Sequence, residues 1–299
     1  MCAILDKPFR TYEEQLQILE SRNIIIEDRN FAVNFLKEFS YYTLVNGYKD
    51  TFLSVPNTDN FQPGTRFNEL VTMHLIDLDI NSIIMKYILA LENSLKTSVS
   101  YIVAEKFGIS LYTEASSDPE SSDYLSLNHY TNSGRRKIIA KNLMRKLRKD
   151  IKSKTDNPHN CRSEALAHYI QSHNHIPPWI LMTELTFNEA IDWYKILKEP
   201  ERSQINEEFL ASLPGSATLN YEEKSEFMTS ALTLLRKFRN KIAHNHKTFQ
   251  AKPDVSLPKK SYLVLTQKTL SEKEYNQDFG KSDLYAIVNC CLMLFKTAQ

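Results

Sequence analysis

Arg239, Asn240 and His244 fall within six residues of one another, in the stretch Arg236 to His246. The guanidinium of an arginine presents a planar fork that donates two parallel hydrogen bonds to a phosphate. An imidazole gives and takes protons near neutral pH. An amide between them can orient either group. Such a set suits cleavage of an RNA phosphodiester, where the ribose 2′-hydroxyl is itself the nucleophile and no metal is required to generate one. His246, two residues on, is a candidate helper. The spacing constrains this chemistry, because residues five apart on a straight helix point about 140° away from each other. Arg239 and His244 share a face only if the helix breaks at Asn240, a good cap residue. On a straight helix His246 likewise points away from His244. The plain alternative is a polar end to a core helix.

The elements that must position these residues read as helices throughout. Phe227, Ala231, Leu234, Leu235 and Phe238 recur at helical spacing and carry the motif on a packed element from 222 to 238. Thr11 and Glu14 form a capping box that opens a first helix. Asp28 or Asn30 opens the next, and a further helical piece from Ser40 ends near Phe52. Tyr41, Tyr42 and Tyr48 in that piece either stack on bases or pack against helices. Thr65 is read as the cap of a helix to Leu78, and Asp79 or Asn81 as the start of the longest one, stopped by Gly108. Its apolar stripe includes Ile84, Ile88, Leu91, Leu95 and Val99. Residues 112–128, rich in Ser, Glu and Asp, read as an exposed loop. Trp179, Leu181 and Leu185 are expected as core anchors after Pro177 and Pro178, and Tyr262 to Thr266 as a lone strand or extended arm. Ser282 and Asp283 begin a last amphipathic helix. The fold class is all-α.

The stretch 135–154 holds ten basic residues and one acid, with Ile138, Ile139, Leu143, Met144, Leu147 and Ile151 as its apolar face. Arg135, Arg136, Lys137, Lys141, Arg145, Lys146, Arg148 and Lys149 are the candidate RNA-backbone contacts, the alternative being a solvated face. Overall, the formal net charge of +1 leaves attraction to nucleic acid to such local patches. Six glycines and no glycine-rich phosphate loop argue against a nucleotide-binding fold. His168, His173 and His175 lack a cysteine or carboxylate to complete a zinc set, so no metal and no cofactor is expected. Cys2, Cys161, Cys290 and Cys291 show no C-x-x-C spacing, and the adjacent pair reads as buried thiols. With no signal-peptide pattern and no run of about 18 apolar residues, a cytoplasmic location without membrane contact is expected.

Arg239 and Asn240 with His244 resemble the signature of the HEPN superfamily, helical domains many of which are ribonucleases. Further residues resemble the Abi-like family of abortive-infection proteins, of the AbiD/AbiF type. These are Lys7 and Pro8, Glu14, Tyr41, Tyr42 and Tyr48 with Phe52, Leu91 and Glu92, Pro177 to Trp179 with Glu184, and Phe249 after the motif. The order of these features along the chain carries the resemblance. It implies a HEPN-like bundle over 65–250 with the basic helix 135–154 inserted. An N-terminal segment, 1–55, and a C-terminal arm and packing helix, 251–299, flank it. It also implies a metal-independent endoribonuclease of a bacterial anti-phage or toxin-type system, with Arg239, Asn240 and His244 catalytic and His246, Glu92 and Glu184 as helpers. Glu92 reads either as a solvated flank or as the carboxylate that holds Arg239. One motif copy implies a homodimer with a composite site, and some relatives imply a controlling small noncoding RNA. The alternative is a HEPN module that binds RNA or protein without catalysis.

Overall fold

The computed structural model describes residues 7–110, 123–267 and 269–295. Among these the chain forms twelve α-helices and no strand, with only isolated bridges at Ile25–Arg66 and Leu53–Phe61. The fold is all-α. Two compact units emerge: Met1–Ile83 with Lys241–Ala251, and Ile84–Asn240 with Lys252–Gln299. Two of their boundaries fall inside long helices, and the third follows Ala251, outside any helix.

In the first unit, α1 (Tyr12–Ser21) opens with the expected capping box, Thr11 and Glu14 each accepting the other's backbone N–H. Asp28 caps α2 (Arg29–Tyr41) by accepting the Phe31 N–H at 3.0 Å. Near its end Ser40 takes φ 62° and ψ 152°, a conformation other residues leave to glycine. A short π-helix, Tyr42–Asn46, follows. Helix α3 (Phe67–Phe107) then runs 41 residues without the break expected at Asp79 or Asn81. Its cap is Arg66 and not Thr65, with Glu69 accepting the Arg66 N–H at 2.8 Å. Gly108, at φ +83°, stops it as expected. Leu16, Leu19, Leu36, Leu44, Phe61, Phe67 and Leu70 form the core of this unit.

The second unit holds the rest of α3 and then α4 (Gly134–Asp156), α5 (Glu164–Ser172), α6 (Pro178–Glu184), α7 (Phe187–Ile196) and α8 (Glu199–Leu210). It continues with α9 (Tyr221–Ala243), whose last three residues belong to the first unit, and ends with α10 (Lys259–Leu265), α11 (Glu272–Asn276) and α12 (Leu284–Leu294). A buried aromatic chain ties it together. Trp193 donates to the Tyr130 hydroxyl at 3.0 Å, Tyr130 to the Tyr124 carbonyl at 2.6 Å, and Tyr124 to the Ile176 carbonyl at 2.7 Å. Cys290 and Cys291 are buried, as expected.

Several sequence expectations fail for local reasons. Tyr262 to Leu265 lie in α10, not a strand, because Tyr262 and Leu265 go inward one helical turn apart. Trp179 is 45% exposed while its neighbours Leu181 and Leu185 fill the core. Ile138 is 61% exposed and leaves the apolar face of α4. Of the expected loop 112–128, the part up to 122 lies outside the described residues, yet Asp123 to Ser126 are buried. Arg148 explains this by gripping the Asp123 carboxylate with two bonds, at 2.7 and 3.0 Å.

Candidate functional site

Helix α9 does not break at Asn240. It continues to Ala243 and closes in a Schellman turn: the His246 N–H donates to the Lys241 carbonyl at 2.8 Å, and the Asn245 N–H to that of Ile242 at 2.9 Å. Asn245 takes the left-handed position at φ 53°, which asparagine tolerates better than most side chains. His244 is therefore the C-cap residue. The reversal of the chain here alters the expected placement of His246. Instead of pointing away, its ring stands 6.1 Å from that of His244, and both are exposed. Both rings line a cavity of about 540 Å³ within the first unit, whose walls also include Lys241, Lys247, Tyr42 and Asn46. The cavity thus holds two imidazoles able to exchange protons and two ammonium groups able to meet an anion.

One buried carboxylate fixes the chain that follows the turn. Asp77, 3% exposed, accepts the Thr248 N–H at 3.1 Å, the Phe249 N–H at 3.1 Å, the Thr248 hydroxyl at 2.9 Å and the Tyr48 hydroxyl at 2.9 Å. Thr248 has one hydroxyl hydrogen, and it goes to Asp77. The close Asn81 side chain must then present its amide hydrogen to the Thr248 oxygen, an orientation that only the network can assign. Burial first, and then the charge and hydrogen bond of Asp77, push the Tyr48 hydroxyl well above its ordinary range, so it stays a donor. The Tyr48 hydrogen is used on Asp77, so His74 Nδ1, 3.2 Å from the same oxygen, must carry its own hydrogen. Sequence reading passed over Asp77, which it left inside a helix running to Leu78, and took Asn81 as a possible helix start. The available signal was their four-residue spacing amid Leu75, Ile76 and Leu78, which puts two short polar groups on one side of an apolar stretch.

His74 gives a pH dependence. Burial lowers its pKa below the ordinary value, with the Asp77 charge opposing. The unfolded chain then binds the proton first as pH falls, so this group's share of stability is intact above about 6.5 and is lost on acidification. The melting temperature is expected to drop between pH 7.5 and 5.5, and to drop less in His74→Gln, whose neutral amide still donates to Tyr48. Equal drops in the two proteins would contradict this.

The other predicted residues lie in the second unit. Arg239 follows the buried Phe238, with Nε buried and without a hydrogen-bond partner, while Asn240 is exposed. Glu92 is neither a solvated flank nor an ion-pair partner of Arg239. It pairs with Lys96 at 2.9 Å, and its side chain is 12% exposed. Glu184 accepts the backbone N–H groups of Arg162 and Ser163 at 3.0 and 2.9 Å and pairs with Lys154 at 3.3 Å. Its carboxylate is thus engaged at the start of α5.

Helix α4 divides its cations. Lys146 is bound to Glu189 at 2.6 Å, a hydrogen bond that raises its pKa, and Arg148 is bound to Asp123. The expectation of a basic helix without balancing acids is corrected to that extent. Lys137, Lys141, Arg145 and Lys149, at four-residue spacing, make an exposed row without ion pairs among the described residues, with Arg135 exposed and Arg136 half-buried near the helix start. If this row neutralises phosphates, replacing Lys141, Arg145 and Lys149 by alanine lowers the salt-dependence slope of single-stranded RNA binding by about 2. An unchanged slope would remove the row as a contact surface.

Residues 34–250 match the family described as Abi-like protein, and the chain belongs to that family. No curated protein and no solved structure shows a significant match. Among the described residues, no helix is long and apolar enough to cross a membrane.

Proposed function

We propose that this protein is a metal-independent endoribonuclease of HEPN type acting in abortive infection of bacteria by phage. The observation that carries the proposal is the pair of exposed imidazoles, 6.1 Å apart, on a cavity wall shared with Lys241 and Lys247. A phosphodiester fits between groups so spaced. One neutral imidazole takes the proton of the 2′-hydroxyl as its oxygen attacks phosphorus. The other, as an imidazolium, protonates the departing 5′-oxygen. The bond from phosphorus to the 5′-oxygen breaks, leaving a 2′,3′-cyclic phosphate and a 5′-hydroxyl. His244 is assigned the first role and His246 the second. Lys241 and Lys247 meet the charge developing on phosphate oxygens.

Arg239 is assigned to the phosphate as well, on the resemblance of Arg239, Asn240 and His244 to the HEPN signature, and Asn240 to orienting the reacting groups. The exposed row of α4 is assigned to the RNA backbone, either of substrate or of a controlling noncoding RNA. Membership in the Abi-like family supports the role in abortive infection.

A chain with one motif copy is expected to work as a homodimer, His244 of one subunit acting with Arg239 of the other. The test mixes two variants, His244→Ala and Arg239→Ala, each inactive alone. Random pairing of subunits restores one intact composite site in half of the dimers, so about a quarter of wild-type cleavage returns. A mixture that stays inactive excludes the composite site. RNA binding without cleavage by the wild type, lost in Arg239→Ala, would favour the non-catalytic binding module.

A further inference from the structure

The backbone that precedes the cavity is unusual, and its effect is to expose one aromatic ring. Phe31, Phe35 and Phe39 form a row along α2, with neighbouring ring centroids 4.6 and 5.9 Å apart. Phe39 continues the packing edge-on against His74 at 4.5 Å. Continued as a regular α-helix, α2 would place Tyr42, three residues after Phe39, on this same row. The chain does otherwise. Ser40 adopts φ 62° although it is not glycine, and its hydroxyl accepts the Thr43 N–H at 3.3 Å, holding the bend from within. The π-helix Tyr42–Asn46 then adds a residue to the turn and rotates the face. Leu44 and Val45 enter the core, and Tyr42 is left 78% exposed on the cavity wall.

The three tyrosines of this segment therefore part ways. Tyr48 is buried, with its hydroxyl on Asp77, and the Tyr41 hydroxyl accepts from Arg22 at 3.1 Å. Only Tyr42 offers a free ring face. A ring held in water by a strained residue and a π-helix, on the wall that carries two imidazoles and two lysines, matches what a nucleobase needs next to its phosphate.

We propose that Tyr42 is a stacking platform for an unpaired nucleobase beside the scissile phosphate, so that the substrate class is single-stranded RNA. This rests on the reading of the cavity as an RNA site. Thr43 and Asn46, also on the wall, offer hydrogen bonds to a base edge, but stacking itself is tolerant of base identity. A duplex keeps its bases stacked on one another and presents no free face to Tyr42.

The test uses a single-stranded oligoribonucleotide, 2′-O-methylated throughout to prevent cleavage, with one 2-aminopurine. The full-length protein is titrated and 2-aminopurine fluorescence is followed. Wild type, Tyr42→Phe and Tyr42→Trp are expected to quench the fluorophore and to bind alike, while Tyr42→Ala loses the quenching and binds roughly ten-fold more weakly. The same oligonucleotide annealed to its complement is expected to bind wild type and Tyr42→Ala equally. Absence of quenching by wild type, or single-strand binding by Tyr42→Ala equal to wild type, overturns the proposal. Unmodified RNA of the same sequence that is bound and quenched but never cut leaves the platform standing and removes the ribonuclease reading instead.

Discussion

Replacing His244 by alanine is expected to lower the rate of RNA cleavage by about 10²- to 10⁴-fold while leaving RNA affinity close to that of the wild type. The split follows from placement. His244 is an exposed C-cap residue whose side chain makes no hydrogen bond among the described residues, so its loss removes a proton acceptor without disturbing the fold. The lysines and the row on α4 remain to hold the RNA. His246→Ala is expected to fall in the same range, because the departing oxygen then leaves without a proton donor. The check is single-turnover cleavage beside equilibrium binding of 2′-O-methyl RNA. A His244→Ala variant that cleaves within two-fold of wild type would overturn the assignment.

The largest expected effect on stability belongs to a residue that touches no substrate. Asp77→Asn removes one of two carboxylate oxygens that together accept four hydrogen atoms, from Tyr48, Thr248 twice and Phe249. The amide that replaces it points hydrogens at buried donors, so at least two of them lose their acceptor. At roughly 1–3 kcal/mol for each buried unsatisfied group, the total loss is on the order of 3–5 kcal/mol. For a chain of this size that corresponds to a fall of about 10 °C in melting temperature. Hydrogen exchange at the Thr248 and Phe249 amides should quicken most, because those amides donate to Asp77 directly. Asp79→Asn, on the exposed side of the same helix, is the control and should change stability by less than about 0.5 kcal/mol. Similar melting temperatures for the two variants would show that Asp77 is not the anchor. Cleavage should fall with Asp77→Asn as well, since Thr248 lies two residues beyond His246 and its release loosens the turn that holds the two imidazoles.

What the sequence disclosed, and what it hid, follows from the range of the interactions involved. The capping box at Thr11, the stop at Gly108, the cap at Asp283 and the buried Cys290 and Cys291 were legible because each depends on residues within a few positions of one another. The all-α class was legible for the same reason. Asp77 was hidden because its partners are some 170 positions away, at Thr248 and Phe249, and nothing within a few positions of it marks the carboxylate as an anchor. The proximity of His246 to His244 depends on a turn that begins after Ala243, whereas helical spacing extrapolates the helix onward. Among the three tyrosines the sequence offered no way to choose; the bend at Ser40 separates them. Glu92 and Lys96 illustrate the reverse case, since an ion pair four residues apart was readable, yet only a solvated flank and the more distant Arg239 were weighed.

The central claim is that this chain cuts RNA through the substrate's own 2′-hydroxyl. The most direct measurement incubates the protein with 5′-labelled single-stranded RNA in excess EDTA, beside the same strand with a single 2′-deoxy residue at the mapped cleavage position. The account predicts cleavage of the all-ribose strand, products ending in 2′,3′-cyclic phosphate, and no cut at the deoxy position. Loss of cleavage in EDTA, a cut at the deoxy position, or products bearing 5′-phosphates would each contradict it.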